Sequence, residues 1–169
     1  MMNKKMQEVM NQQISFELYS ANLYLAMSAY IELKGFKGMA NWLRVQYEEE
    51  TFHMLKLYDY MKSRNAKIEL KSIDAPPNEF GDPLATFHAV LAHEQQVTAK
   101  INNLYKTAIE ENDFAAQIFL QWFVNEQIEE ESNVSDVISK LELIGDKKSE
   151  LLYLDTELSS RVFVPPAAN

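Results

Sequence analysis

The 169-residue sequence has no cysteine, few residues that break helices, and no long apolar run. The absence of cysteine excludes disulfides, zinc ribbons and thiol catalysis, and it is compatible with a reducing cytosol. The longest unbroken apolar run covers residues 23–27, which is far short of the roughly 20 residues that a membrane-spanning helix needs. Because no signal peptide is visible either, we expect a cytoplasmic protein with no membrane partner.

Positive charge is also scarce, since 16 basic residues stand against 25 acidic ones and leave a net charge of −9. This balance disfavours nucleic acids and anionic membranes as partners and favours cations. With 47% apolar residues, the chain is long enough for one well-filled domain and short for two. The prediction is a single domain over residues 1–169.

The few glycines and prolines cluster at a small number of joints, and the sequence between them is compatible with helix throughout. The pattern predicts helices at about 6–34, 39–65, 83–111 and 114–144, a shorter helix at about 147–160, and an extended tail at about 162–169. Two short links imply antiparallel helical hairpins, whereas the link of residues 66–82 is long enough to run back along a bundle. We therefore expect an all-α four-helix bundle with one long crossover and a short fifth C-terminal helix.

Glutamates interrupt the apolar stripe of each long predicted helix near its middle. They are Glu17, Glu50, Glu94, Glu126 and Glu130. Antiparallel packing at a rise of about 1.5 Å per residue places them at one level of the bundle. Unpaired buried carboxylates cost at least several kcal/mol and repel one another, so bound cations or retained protons must accompany them.

A histidine completes this pattern, because His53 follows Glu50 by one helical turn and shares its face. Mixed carboxylate and imidazole ligands suit iron or manganese. The sequence therefore predicts a site for a pair of divalent metal ions at the centre of the bundle.

Additional acidic residues flank these positions, and they cannot all point inward because neighbours on a helix are turned by about 100°. Glu48 and Glu131 are expected to be solvated. Glu49 and Glu129 are either solvated or part of a third, more exposed metal position.

Three further features each leave two interpretations open. Tyr24 is either a core aromatic or a donor of a hydrogen bond or electron to the site, and Gln127 is either outward-facing or a donor to a metal ligand. The cluster of Glu110, Glu111 and Asp113 is either an exposed acidic turn or the lining of an acidic pore where chains meet.

Four segments closely resemble the prokaryotic non-haem ferritins: NQQISFELYSANLYLAMSAY, EEETFHM, HEQQVTAKIN and FLQWFVNEQIEEE. The resemblance covers essentially the whole chain and implies the ferritin-like fold. It implies a two-iron ferroxidase centre, bridged by Glu50 and formed by Glu17, Glu50, His53, Glu94 and Glu130. It also implies a third iron site formed by Glu49, Glu126, Glu129 and Glu130. Tyr24 corresponds to the site tyrosine of that family, and Gln127 to a residue beside the ligands.

The function implied by this resemblance is iron storage with ferroxidase activity. Fe²⁺ would be oxidised to Fe³⁺ by O₂ or H₂O₂ and deposited as ferric oxyhydroxide inside a homo-oligomer of 24 chains. Thr51 and Glu129 stand where haem-binding relatives would have methionine and histidine, so no haem is expected. Tyr47 and Phe52 are bulkier than the small residues expected near the ligands.

Two other functions fit the residues. One is a di-metal oxidase or oxygenase that acts on an organic substrate and has no storage role. The other is a structural or interaction bundle whose buried carboxylates are protonated and hydrogen-bonded.

Overall fold

Five helices form the computed structural model, which describes residues 2–166. They are α1 (Lys4–Leu33), α2 (Lys37–Ser63), α3 (Pro83–Glu110), α4 (Phe114–Ile144) and α5 (Lys148–Leu158). The predicted helices agree with these bounds to within two residues at every end. No strand forms among the described residues, and none of their helices combines the length and apolar character that a membrane span requires. Residues 161–166 lack regular structure, while the rest of the predicted tail lies outside the described residues.

Three of the long helices begin with a side-chain cap that their own sequence supplies. Asn3 accepts a hydrogen bond from the Met6 amide at 2.8 Å, and Asp113 accepts one from the Ala116 amide at 3.0 Å. Asp82 accepts one from the Ala85 amide at 2.8 Å. Such caps satisfy amide groups that have no partner in the first helical turn.

The α2 helix begins differently, because Phe36 precedes it and provides no side-chain cap. Instead, Oδ1 of Asp155 in α5 accepts a hydrogen bond from the Met39 amide at 2.8 Å. The backbones approach so closely that a Cβ atom on Gly38 would lie 1.5 Å from the carbonyl oxygen of Asp155. Gly38 is therefore the position that allows α5 to dock against the start of α2.

The long crossover runs along α1, as predicted. Near one end, the Asn11 side chain donates to the Lys67 carbonyl at 2.9 Å and accepts from the Glu69 amide at 2.8 Å. Near the other end, the Phe80 ring contacts the Tyr30 ring, with 5.5 Å between centroids. The chain thus returns along α1 before α3 begins, which confirms the four-helix bundle with one long crossover.

The apolar core is divided into two clusters. The cluster at the α5 end has Met27, Ile31, Leu43 and Phe87 among its fully buried members, while Leu154 attaches α5 to it. The cluster at the opposite end is rich in methionine and is built around Met6, Met10, Ile14, Met61 and Leu104. A layer of buried polar side chains lies between the two clusters.

The acidic residues at the turn between α3 and α4 have cationic partners in the same chain. Lys5 Nζ lies 3.2 Å from Glu110 and 3.4 Å from Glu111. Both carboxylate oxygens of Asp113 accept hydrogen bonds of 3.1 Å from Arg64. These contacts favour the acidic-turn interpretation over that of a pore lining.

Replacing Gly38 with alanine is expected to displace α5 and lower the free energy of unfolding by about 1–3 kcal/mol, because the added methyl group overlaps the α5 backbone. Chemical denaturation followed by circular dichroism measures the change, and hydrogen exchange locates it in residues 148–158. Lys37→Ala is the matched control, since Lys37 is exposed in the same helical turn. Equal unfolding midpoints for the Gly38 and Lys37 variants would contradict this account of α5 docking.

Candidate metal centre

The layer between the two core clusters brings side chains from all four long helices together. Its acidic and imidazole members are almost completely buried, with exposed fractions of 3% or less, and they are Glu17, Glu50, His53, Glu94 and Glu130. Each lies near the middle of its helix, where the sequence placed it. Lysine and arginine are absent from the buried polar residues of the described chain, so no buried ammonium or guanidinium offsets these carboxylates.

Potential ligand atoms in this layer form two overlapping groups. Glu17, Glu50 and His53 present atoms that all lie within 4.8 Å of one another. His53, Glu126 and Glu130 meet the same criterion. Since His53 belongs to both groups, and its Nδ1 lies 3.6 Å from Oε2 of Glu50, the imidazole stands between the two sets of carboxylates.

The Glu94 carboxylate is held by two donors. The Tyr24 hydroxyl donates to Oε1, and the Gln127 amide donates to Oε2 at 3.1 Å. Tyr24 and Gln127 are themselves buried, so neither donor is free to move into solvent. Both side chains therefore face the site, in agreement with the interpretation of each as a donor to the ligands.

Two glutamines support two of the remaining carboxylates, those of Glu17 and Glu130. Gln13 donates to Oε1 of Glu17 at 2.8 Å, one helical turn away on α1. Gln46 of α2 donates to Oε2 of Glu130 at 2.9 Å. Nothing in the sequence singles out these glutamines, because an amide side chain in a helix is usually exposed.

Several buried oxygen atoms nevertheless remain without a partner among residues 2–166. They are Oε2 of Glu17, Oε2 of Glu50 and Oε1 of Gln46. Leaving such a group unsatisfied costs about 1–3 kcal/mol, and more when the group is charged. Two unsatisfied carboxylate oxygens beside an imidazole are the donor set that a divalent cation accepts.

The pKa values of the innermost carboxyl groups are raised. Burial raises the pKa of Glu50 well above its usual range, and the nearby carboxylates of Glu94 and Glu17 raise it further. Burial and the proximity of Glu130 raise the pKa of Glu94 to about 8, although the hydrogen bonds from Tyr24 and Gln127 oppose this shift. Without a cation, the layer therefore retains protons at neutral pH.

The inner face of α4 differs from the prediction at Glu126, although Phe123, Glu130, Val137 and Leu141 are buried as predicted. Gln127 is buried in the layer, whereas Glu126 is only half-buried at its edge, so the placement of Glu126 in the apolar stripe was wrong. From Phe123, a step of three leads to Glu126 and a step of four to Gln127, and both steps occur on one helix face. Glu130 continues the buried face in either case.

The edge of the layer carries three more acidic side chains. Glu129 is exposed, and Glu126 is half-buried with its pKa raised to about 7 by burial and by the carboxylates of Glu130 and Glu129. Glu49 is mostly buried, and burial and the nearby Glu130 raise its pKa to about 8, while Arg161 opposes that shift. These pKa effects indicate that the side chains lie near Glu130 at the more exposed edge of the layer.

An arginine from the C-terminal segment contacts this edge. Nη2 of Arg161 lies 2.7 Å from Oε2 of Glu49, which makes Glu49 part of an ion pair rather than a free carboxylate. The sequence does not indicate this pairing, because the two residues are separated by 112 positions.

Two acidic residues were expected to be solvated, and one of them is not. Glu48 is partly exposed, with an exposed side-chain fraction of 41%, and lies 3.7 Å from Arg44. Glu131 is partly buried and accepts a hydrogen bond of 2.5 Å from the Thr98 hydroxyl of α3. The hydrogen-bond donor to the Glu131 carboxylate is therefore a hydroxyl group on the facing helix rather than solvent water.

The bulky residues near the α2 ligands pack against other partners. The guanidinium of Arg44 lies over the Tyr47 ring at 4.3 Å. The Phe52 ring contacts the rings of Trp122 and Phe163, with centroid separations of 6.0 and 5.9 Å. Trp122 in turn contacts His53 at 5.5 Å, so these aromatic rings cover the imidazole on its outer side.

Comparison with known proteins supports an assignment to a family. A family model described as a ferritin-like domain matches residues 7–144. The chain is 41% identical over 163 residues to a bacterial non-heme ferritin of Staphylococcus haemolyticus and 38% identical over 163 residues to one of Staphylococcus aureus. Each alignment covers 96% of this chain and 98% of the relative.

Solved structures agree with these sequence matches. An open-pore ferritin from the hyperthermophilic archaeon Archaeoglobus fulgidus superposes with a TM-score of 0.95 at 46% identity, over 96% of this chain and all of that one. A closed form of the Archaeoglobus fulgidus ferritin, engineered by site-directed mutagenesis, gives a TM-score of 0.95 at 45% identity over 97% of this chain and all of that one. The fold, the buried carboxylate layer and these similarities together establish that the chain belongs to the ferritin family.

Proposed function

We propose that this protein is an iron-storage ferritin that oxidises Fe²⁺ at the centre of its helical bundle. Two Fe²⁺ ions, as substrates, would bind in the polar layer formed by Glu17, Glu50, His53, Glu94 and Glu130. The observation that carries the proposal is a pair of unpartnered carboxylate oxygens in a buried layer. Among the described residues, no lysine or arginine is buried with them. Membership of the ferritin family supports iron storage and ferroxidase chemistry in general.

The positions of the side chains suggest how the ligands are divided between the two ions. Glu50 has an unpartnered oxygen and lies between Glu17 and Glu94, the two carboxylates that most raise its pKa, so it is suited to bridge the two ions. Glu17 and His53 would complete one ion's ligands, and Glu94 and Glu130 those of the other. Hydrogen bonds already orient Glu17, Glu94 and Glu130, so little side-chain reorganisation accompanies binding.

Each Fe²⁺ ion would lose one electron to an oxidant bound between the pair. With H₂O₂ as the oxidant, two Fe²⁺, one H₂O₂ and two protons give two Fe³⁺ and two water molecules. With O₂, two Fe²⁺, one O₂ and two protons give two Fe³⁺ and one H₂O₂. Carboxylate ligands favour the harder Fe³⁺ ion and therefore favour the product side of either reaction.

A third iron position is proposed at the edge of the layer. Glu49, Glu126 and Glu129 surround it together with the inner residue Glu130, and the mutual effects of these carboxylates on their pKa values indicate that they lie close together. An ion leaving the central pair would meet this cluster of carboxylates next.

Hydrolysis of released Fe³⁺ would give ferric oxyhydroxide, with three protons released for each iron. We propose that this mineral forms in the cavity of a homo-oligomer of 24 chains, since one chain cannot enclose it. Large apolar side chains on the surface of the single chain support assembly, among them Leu33, Phe114, Ile118, Leu143 and Tyr153. The cytoplasm remains the proposed location.

A di-metal oxidase that acts on an organic substrate would need an apolar pocket beside the metal ions. A cleft of about 420 Å³ lies between α4 and α5, but its lining residues, which include Leu143, Ile144 and Tyr153, contain none of the proposed ligands. The space beside His53 is instead filled by the rings of Trp122 and Phe123.

Replacing Glu50 and His53 together with alanine is expected to slow the initial rate of Fe²⁺ oxidation about tenfold or more, because one metal position loses its bridging and imidazole ligands. Stopped-flow absorbance of the ferric product measures the rate. The control is Glu48→Ala, which removes a partly exposed carboxylate from the same helical turn. Because two buried side chains are truncated, circular dichroism of the double variant first checks that it is still folded. Equal initial rates for the double variant and the control would refute the site assignment.

The metal-free protein is expected to lose stability as pH rises from about 5 to about 8. Glu94 and Glu49 have folded pKa values of about 8, above the ordinary 4.5, so the folded state binds more protons than the unfolded state in this window. The free energy of unfolding then falls with rising pH, by about 1.4 kcal/mol per pH unit for each proton that differs.

Thermal unfolding after dialysis against a chelator tests this dependence. Zn²⁺, which is not redox-active, should raise the melting temperature most at the high end of the window, because the ions replace the missing protons. Glu94→Gln should flatten the pH dependence of the metal-free protein. A melting temperature of the metal-free protein that rises between pH 5 and pH 8 would contradict the prediction.

The storage role predicts that one assembled species carries the iron. Sedimentation velocity after aerobic addition of excess Fe²⁺ should show protein and ferric absorbance moving together as a particle near the mass of 24 chains. A small oligomer that retains only the few ions of its binding sites would contradict the cage and support a di-metal oxidase.

A further inference from the structure

The segment that follows α5 lies against α2 beside the proposed third iron position. The Asn41 side chain donates to the Arg161 carbonyl at 2.9 Å and to the Ser159 carbonyl at 3.3 Å. Two residues beyond Arg161, the Phe163 ring contacts the Phe52 ring on the same helix. The segment is thus attached to α2 on both sides of Arg161.

Arg161 makes three contacts that fix its guanidinium. The group lies over the Trp42 ring at 4.3 Å, and Nη1 donates to the Trp42 carbonyl at 3.3 Å. Nη2 donates to Oε2 of Glu49 at 2.7 Å. Both partners of the ion pair are about four-fifths buried, with exposed side-chain fractions of 20% for Arg161 and 19% for Glu49. A planar guanidinium that is stacked and hydrogen-bonded in this way is held in one orientation.

The ion pair has a consequence for metal binding. A metal ion at the third position would use the carboxylate oxygens of Glu49, and one of these oxygens is already bound to Arg161. A divalent cation and a guanidinium also repel each other, and at the short distances involved this repulsion is significant because the site is partly shielded from water.

We propose that Arg161 is a positioning residue that competes with a cation for Glu49 and thereby weakens metal binding at the third position. The proposal rests on the proposed function, because it takes Glu49 to be a ligand of that position. The central pair of metal sites is less affected, since none of its ligands forms an ion pair with Arg161 in the described structure.

Coupling in the opposite direction follows by thermodynamic linkage. If Arg161 weakens the third metal ion, then that ion must weaken the contact of Arg161 with Glu49 by the same factor. The segment around Arg161 would then be attached to α2 through the contacts of Asn41 and Phe163 and those of Arg161 with Trp42, without the ion pair. Occupancy of the third position would therefore loosen the C-terminal segment.

Titration of the metal-free assembled protein with Zn²⁺ tests the proposal, with calorimetry giving the number and affinity of the sites. Arg161→Gln should leave the first two ions per chain unchanged and tighten the third about tenfold, because the competing charge is lost. Arg161→Lys keeps the charge but not the planar fork, so its third ion should bind with intermediate affinity. Phe163→Ala should tighten the third ion slightly by releasing the segment.

Arg44→Gln is the matched control, because Arg44 also stacks on an aromatic ring and pairs with a glutamate of α2, but at an exposed position. Its third ion should bind within about twofold of the wild-type affinity, as expected for an exposed pair. In a Glu49→Gln background, Arg161→Gln should have no further effect on zinc affinity, since the shared carboxylate is gone.

The outcomes separate this inference from the proposed function. If all three proteins, wild type, Arg161→Gln and Arg161→Lys, bind the first two ions and bind the third with equal affinity, only the proposed role of Arg161 is overturned. The proposed function requires that the wild type binds two ions per chain and that the variant lacking Glu50 and His53 loses them. If the wild type does not bind these two ions, the proposed function itself is overturned.

Discussion

The burial of like charges in one layer is the constraint on which the rest of this structure depends. Several carboxyl groups lie where a helical bundle normally places leucine or valine, and the layer divides the apolar core in two. Burial and mutual repulsion both disfavour the ionised form. The two apolar clusters must therefore hold the bundle together on either side of a layer that favours separation of the helices.

The layer also shows a difference between its centre and its edge. At the centre, hydrogen bonds from Gln13, Tyr24 and Gln127 orient the carboxylates without neutralising them. At the edge, Arg161 provides a full positive charge to Glu49. Neutral donors maintain the attraction of the centre for cations, whereas an internal cation reduces it at the edge. The expected order of affinity, a tight pair and a weaker third ion, follows from the chemistry of these neighbours.

Much of the fold could be predicted from the sequence because its signals are local. Glycines and prolines mark the joints, and caps such as Asp82 lie next to the helices that they begin. The inner glutamates could be predicted because a charge in an apolar stripe is rare and has few explanations. Helix periodicity, however, locates a face only to within one residue. The sequence therefore predicts Glu126 on the inner face of α4 and leaves two interpretations for Gln127.

The features that the sequence did not reveal depend on contacts between distant residues. Gln46 has no unusual neighbours along the chain, and its role becomes visible only when α4 brings Glu130 against it. The same holds for Arg161, whose partner lies on another helix. Polar residues of common types carry information about function only after packing has chosen their neighbours.

The cap that α2 receives from Asp155 links the beginning of one hairpin to the end of the polypeptide, across 116 positions. On a ribosome, α1 and α2 emerge long before α5, so the nascent hairpin has an incomplete end while the rest of the chain is made. The apolar residues near that end, including Met39 and Leu43, stay without their final cover from Leu154 during this time. This end of the bundle is therefore completed only after the last helix has been synthesised. Until then, chaperones or other nascent chains can bind the uncovered apolar residues.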